Sequence, residues 1–175
     1  MGILNLKNKT AHKFIKNNAN KAKNKDKKTV IKIKSVGVLA MADLFKTYDF
    51  TKKLIDEIGL KDHGIEVALL DDIKPNETME IYQVYTDKSF GMYGKIKDSS
   101  LKNFVDREFD LLINYCDADN IFAQVICFKS QAKIKAGFEY EISNFNDISI
   151  KIAGNKIDTF NNELIKYLDI LKLLK

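Results

Sequence analysis

Four aspartates stand where two apolar runs end, and no other side chains in this chain are better placed for chemistry. Asp71 and Asp72 close "GIEVALLDD", and Asp117 and Asp119 follow "FDLLINYC". If the two runs are strands of one sheet, these carboxylates converge and offer the hard oxygen ligands that Mg²⁺ takes; no other cofactor is expected. The same residues have a plainer use. Asp117 and Asp119, with Asp43 after an earlier run, suit helix N-caps, and Asp71 and Asp72 suit the opening of a turn. A nucleophile needs a base beside it. Cys116 is the one thiol at a strand end, and His63 precedes the second run, which places it toward the opposite end of a sheet. A buried, inert thiol is the expectation for Cys116 and for Cys127. Two cysteines and two histidines are too few for a zinc site of ordinary spacing or a disulfide framework. The residues after the first apolar run, "AMADLF", contain no glycine. Backbone cannot approach a pyrophosphate closely there, which argues against NAD, FAD and P-loop chemistry.

The second chemical resource is charge. Residues 1–34 hold eleven lysines and one aspartate, a net of +10 against +5 for the whole chain, which leaves −5 for the rest. Lys9, Lys13, Lys16, Lys21, Lys23, Lys25, Lys27 and Lys28 are the candidates for contact with an anionic partner, RNA or the ribosome. Lysines bind phosphate as point charges, so such contact is sequence-independent and salt-sensitive. Single-strand binding modules also stack aromatics on bases, and Phe14 is the one aromatic in the segment. An anionic membrane surface is the competing partner, with Ile3, Leu4, Phe14 and Ile15 inserting. A solvated extension, or a helix packed on its own domain, is the simpler alternative. Lys, Asn and Ile are abundant throughout and Arg107 is the sole arginine, a bias that AT-rich coding also produces.

These residues need elements to hold them. Over residues 3–16 helical spacing puts Ile3, Leu4, Ala11, Phe14 and Ile15 on one side and Lys9, His12, Lys13 and Lys16 opposite, with Lys7 interrupting the apolar side. The polar stretch from Asn17 to Lys28 has too little apolar content to pack. Ser35 to Ala40, Ile65 to Leu70, "MEIYQVYT", "FDLLINYCD", Ile134 to Phe138 and "DISIKIAG" read as strands. "ADLFKTYDFTKKLIDEIGL", "SSLKNFVDREF" with Ser99 or Ser100 as N-cap, and "ADNIFAQVICFK" read as helices. The closing "TFNNELIKYLDILKLLK" is a helix capped by Thr159, with Phe160, Leu164, Tyr167, Leu168 and Leu171 as its inward stripe. "FGMYG" spaces its glycines too closely for a phosphate loop. It is expected as a turn in which Phe90 and Tyr93 cover a core edge, or as a loop that stacks a ligand.

Strands alternating with amphipathic helices imply right-handed βαβ units. The expectation is an α/β chain: a three-layer Rossmann-like domain with a mainly parallel sheet over residues 29–175, preceded by a basic helix and polar tether over residues 1–28. Ligands in such sheets bind beyond the carboxyl ends of the strands, where the four aspartates lie.

On "KSVGVLA", "FGMYGKIKDSSLKNFVDREFDLLINYCD", "SQAKIKAGFEYE" and "ELIKYLDIL", nearly the whole chain resembles a small bacterial family of uncharacterised proteins, which implies a fold and carries over no functional residue. A looser likeness, over about a third of the chain, is to the N-terminal half of heptosyltransferase-type glycosyltransferases. There a strand like "FDLLIN" precedes a helix and an Ala-Lys-x-x-x-Gly-Phe segment, here Ala132, Lys133, Gly137 and Phe138. Those enzymes hold their sugar nucleotide in a second domain, so the likeness implies topology rather than activity.

No apolar run approaches the ~18 residues of a membrane-spanning helix. The opening residues lack a signal-peptide core, and Leu6 stands where a myristoylation signal has Ser or Thr, so a cytoplasmic location is expected. The expected function is a binding or adaptor protein using the lysine-rich arm. The alternatives are a metal- or nucleotide-dependent enzyme at the four aspartates and a peripheral membrane-surface protein.

Overall fold

The computed structural model describes residues 2–23, 29–48, 50–60, 64–71, 82–117, 119–139, 145–152 and 156–174. Its elements in chain order are α1 (Ile3–Lys23), β1 (Val36–Met41), α2 (Ala42–Thr47), α3 (Phe50–Ile58), β2 (Ile65–Leu70), β3 (Gln83–Tyr85), α4 (Ser99–Asp106), β4 (Leu111–Asn114), α5 (Ile121–Lys129), β5 (Ile134–Phe138), β6 (Ile148–Ile150) and α6 (Ile157–Ile170). Two 3₁₀ turns, Asp87–Ser89 and Met92–Gly94, lie between β3 and α4. The six strands form one sheet in the order β3-β2-β1-β4-β5-β6, and every pair is parallel. This is the expected α/β arrangement with a Rossmann-like order, and it reverses direction between β1 and β4.

Alternate residues of each strand feed opposite layers. Val36, Val38 and Ala40 of β1 join Val67, Leu69, Leu111 and Ile113 beneath α3 and α6. Leu39, Ala68, Leu70 and Leu112 face the other layer, where α4 and α5 supply Leu101, Phe104, Val125 and Ile126. A Cβ at Gly37 would come within 2.8 Å of the Phe109 ring, so glycine is required where that ring lies across β1. At the amino ends of the central strands the buried Asp110 accepts the Lys34 and Ser35 N–H groups at 3.0 and 3.1 Å. It also accepts the Lys133 ammonium at 2.7 Å, tying the entries to β1, β4 and β5.

Four local expectations change. The helix read over "ADLFKTYDFTKKLIDEIGL" is two, because the backbone of Tyr48 is extended and ends α2 before α3 begins at Phe50. Asp98, not Ser99 or Ser100, caps α4, accepting the Ser100 and Leu101 N–H groups. At α6 the residue before the first turn is Lys156 and no side chain caps, so Thr159 lies inside the helix. The inward stripe of α6 keeps Phe160, Leu164 and Leu168, whereas Tyr167 is 47% and Leu171 54% exposed. The stripe turns because the buried Asn161 belongs to it: Tyr115 O–H donates to Asn161 Oδ1 at 2.7 Å, and Asn161 Nδ2 donates to the Tyr48 hydroxyl at 3.0 Å. With Asn161 counted inward, Tyr167 lies about 80° from the stripe's centre, and Leu171 falls past the last helical residue. Among the described residues no helix is long and apolar enough to cross a membrane.

Candidate functional site: the docked lysine helix and the switch-point crevice

The expected helix over residues 3–16 extends to Lys23. Ala19, Lys21, Ala22 and Lys23 are good helix formers, and lysines in a last turn complement the negative end of the helix dipole. Asn18 Nδ2 also donates to the Phe14 carbonyl at 2.8 Å inside this stretch. The polar tether expected from Asn17 to Lys28 is thus helical as far as Lys23, and Lys21 and Lys23 belong to the last turns of α1; Lys25, Lys27 and Lys28 lie outside the described residues.

α1 packs on the body beside α5 and the Met92–Gly94 turn. Ala11 and Ile15 are buried in the layer with α4 and α5. The Phe14 ring meets Phe128 edge-on at 5.3 Å and lies 4.7 Å beneath the Lys129 ammonium, whose burial pushes its pKa below the ordinary lysine value. The docking also uses the residue that interrupted the apolar side. Lys7 is buried, and its ammonium donates to the Asp87 carbonyl at 2.9 Å and the Asp87 carboxylate at 3.2 Å. A buried lysine needs such a partner, and Asp87 supplies two acceptors from one residue. Nothing local in the sequence pairs positions eighty apart.

Gly94 makes the approach possible. Its φ is +65°, and a Cβ there would meet Phe14 and Val125 at 3.2 Å. Gly94→Ala is therefore expected to cost about 1–2 kcal/mol from the left-handed backbone alone and to loosen α1. Urea unfolding, with the rate of tryptic cleavage within α1, checks this; unchanged stability and cleavage would show that α1 does not depend on the contact.

With that side docked, Lys9, Lys13 and Lys16 are exposed on the other, alongside His12. The 21 residues of α1 contain six lysines and no acid. Lys9–Lys13 and Lys13–Lys16 are like-charge neighbours four and three residues apart, an arrangement that costs an isolated helix a few tenths of a kcal/mol per pair. An opposing polyanion would reverse the sign of that term.

The aspartates at the strand ends divide. Asp117 and Asp119 line a cavity of about 370 Å³ where the strand order reverses, together with Met41, Asn120 and Asp87. Leu4 and Asn8 of α1 contribute to its wall. Asp71 does not line it; its N–H donates to the Tyr85 carbonyl beside β3. Asp72 lies outside the described residues. The cap of α5 is Asn120, whose Oδ1 accepts the Phe122 and Ala123 N–H groups, rather than either neighbouring aspartate. Asp43 lies in the first turn of α2 and pairs with Lys46 at 3.0 Å. Among the described residues no group of three or more His, Cys, Asp or Glu is placed to hold a metal ion. Asn8 Oδ1 is buried without a hydrogen-bond partner, so acceptors dominate the crevice. Its chemistry favours hydrogen-bond donors and cations and opposes phosphate. Cys116 and Cys127 are both buried and neither is in a disulfide, and burial pushes the Cys127 thiol up to about 12, outside the range of a useful nucleophile.

A family model described as "Family of unknown function (DUF6913)" matches residues 7–171, which include most of α1. No curated protein and no solved structure matches the chain, and nothing among these findings supports the likeness to heptosyltransferase-type enzymes.

Proposed function

The chain belongs to this family of unknown function, and from that premise we propose that it is a binding or adaptor protein holding an anionic partner, RNA or the ribosome, against the outward lysines of α1. The observation that carries the reading is the orientation of α1: Ala11, Ile15 and Lys7 face the body, and Lys9, Lys13 and Lys16 face solvent. A docked helix holds these charges at fixed spacing, so the partner bears less of the ordering cost that a free arm would impose. Residues 35–175 carry a net −5, which disfavours contact of a polyanion with most of the body.

The competing readings have less support. Of the four residues that would enter a membrane, Ile15 is buried and Phe14 half-buried against the body, which leaves only Ile3 and Leu4 exposed. An enzyme site at the aspartates lacks a metal-holding group among the described residues. Co-sedimentation of the full chain with ribosomes and bulk RNA across a salt series tests the proposal, with anionic vesicles as a parallel arm. Binding to RNA or ribosomes that weakens steadily with salt is expected. Absence of binding at low salt, or binding to vesicles alone, would overturn it.

A further inference from the structure

The segment between β3 and α4 sorts its two aromatics in opposite directions. Phe90 is buried, its ring stacked 4.4 Å from Phe122. Tyr93 is 57% exposed, beside Met92 at 41%, contrary to the expectation that both rings cover a core edge. The Tyr93 backbone has φ 55° and ψ 35°, the left-handed region that non-glycine residues rarely occupy. Strain of this kind persists where surrounding structure over-determines it, and here it does. Tyr93 N–H donates to Thr10 Oγ1 at 3.1 Å, Gly91 N–H to the Lys95 carbonyl at 2.7 Å, and Lys95 N–H to the Met92 carbonyl at 3.1 Å. Among the described residues the Tyr93 ring and hydroxyl have no hydrogen bond or ring contact. The fold thus fixes the backbone firmly and leaves the ring in solvent.

The position of that ring follows from Thr10. On α1, Thr10 lies on the seam between the docked and exposed sides, and residues three apart on a helix are surface neighbours, so Lys13 adjoins it. Lys95 and Lys97 follow Tyr93 in the chain and are exposed. Among the described residues Lys13, Lys16, Lys95 and Lys97 have no carboxylate partner within 4.0 Å. An exposed aromatic ring bordered by such lysines is the combination that binds single strands: cations track the backbone and a base stacks on the ring. A duplex keeps its bases stacked on one another and offers the ring nothing. We infer that the partner is engaged as single-stranded nucleic acid, with one unstacked base lying on Tyr93. The inference rests on the anionic-partner reading above and adds to it the stacking residue that the arm itself lacks.

Fluorescence anisotropy separates the two. A labelled oligouridylate of about 12 nucleotides, within the 4–16 that single-strand sites span, and an RNA duplex of matched length are titrated with the full chain, Tyr93→Ala, Tyr93→Phe and Tyr93→Gly. Tyr93→Ala is expected to weaken single-strand binding about tenfold with an unchanged salt slope and unchanged duplex binding, and Tyr93→Phe to retain affinity. Tyr93→Gly relieves the left-handed backbone, so it should lose the same binding without loss of thermal stability, which separates stacking from folding. If both nucleic acids bind the wild-type chain and Tyr93→Ala weakens neither or both alike, the stacking inference is overturned and the lysine reading stands. If neither binds at low salt, both fail.

Discussion

Replacing Lys9, Lys13 and Lys16 together with glutamine should lower affinity for single-stranded RNA by about 100-fold at ~0.1 M salt. Each phosphate neutralised on a single strand contributes about 0.7 to the slope of log affinity against log salt. Three lost contacts remove about two units of slope, or about two decades at that concentration. The fold should not suffer, because all three side chains are exposed and their removal relieves like-charge neighbours by a few tenths of a kcal/mol. Lys151, Lys156 and Lys172 are also exposed and lie far from α1 in sequence; changing these three to glutamine alters net charge equally and should reduce affinity only slightly. Equal losses in the two triple variants would mean that net charge, and not the α1 surface, governs binding.

The largest effect on stability is expected at Asp110. Its carboxylate accepts two backbone N–H groups, the Ser35 hydroxyl at 3.2 Å and the Lys133 ammonium. Asp110→Ala leaves those donors, including the mostly buried ammonium, without their acceptor, and losses of this kind cost about 3–5 kcal/mol. Burial by itself would raise the pKa of Asp110. The hydrogen bond from Lys133, the Lys34 N–H, the Lys133 charge and the Ser35 hydroxyl outweigh it and hold the carboxyl below its ordinary value. A folded-state pKa below the unfolded one gives stability that is fully present above about pH 4, the unfolded value, and is lost as pH falls through the folded pKa. Urea unfolding at pH 7 and down the acid limb measures both effects. The wild type should lose more stability on acidification than Asp110→Asn, which cannot titrate. A cost under about 1 kcal/mol for Asp110→Ala, or parallel acid limbs, would contradict this assignment.

Much of the architecture was legible because burial on both faces of a parallel sheet leaves continuous apolar runs. β2 and β5 begin and end where "IEVALL" and "IKAGF" do, and the carboxyl ends of β1 and β4 do bring Met41, Asp117, Asp119 and Asn120 to one crevice. Two of the misreadings share a cause, which is that residue type stood in for burial. Lys7 reads as a break in an apolar face, yet it is the buried anchor of α1, and its partner Asp87 is reachable only through the fold. Asn161 is not part of the inward stripe expected from apolar residues, yet it bridges Tyr115 and Tyr48 in the core. Tyr93 was legible as an aromatic in a glycine-rich turn, but its exposure depends on the left-handed backbone pinned by Thr10. Helical spacing already set Lys9, Lys13 and Lys16 opposite the apolar side, and they are exposed; that the apolar side docks on the body beside α5 was not legible.

The most direct test of the account is amine-reactive footprinting of the full chain, reading the acetylation rate of each lysine by mass spectrometry with and without a single-stranded RNA. Lys7, buried against Asp87, should be nearly unreactive in both samples. Lys9, Lys13, Lys16, Lys95 and Lys97 should react freely alone and become shielded by RNA, while Lys151 and Lys172 stay unchanged. A Lys7 as reactive as Lys9 in the free protein, or RNA shielding that spares α1, would contradict the docked lysine helix as the binding surface.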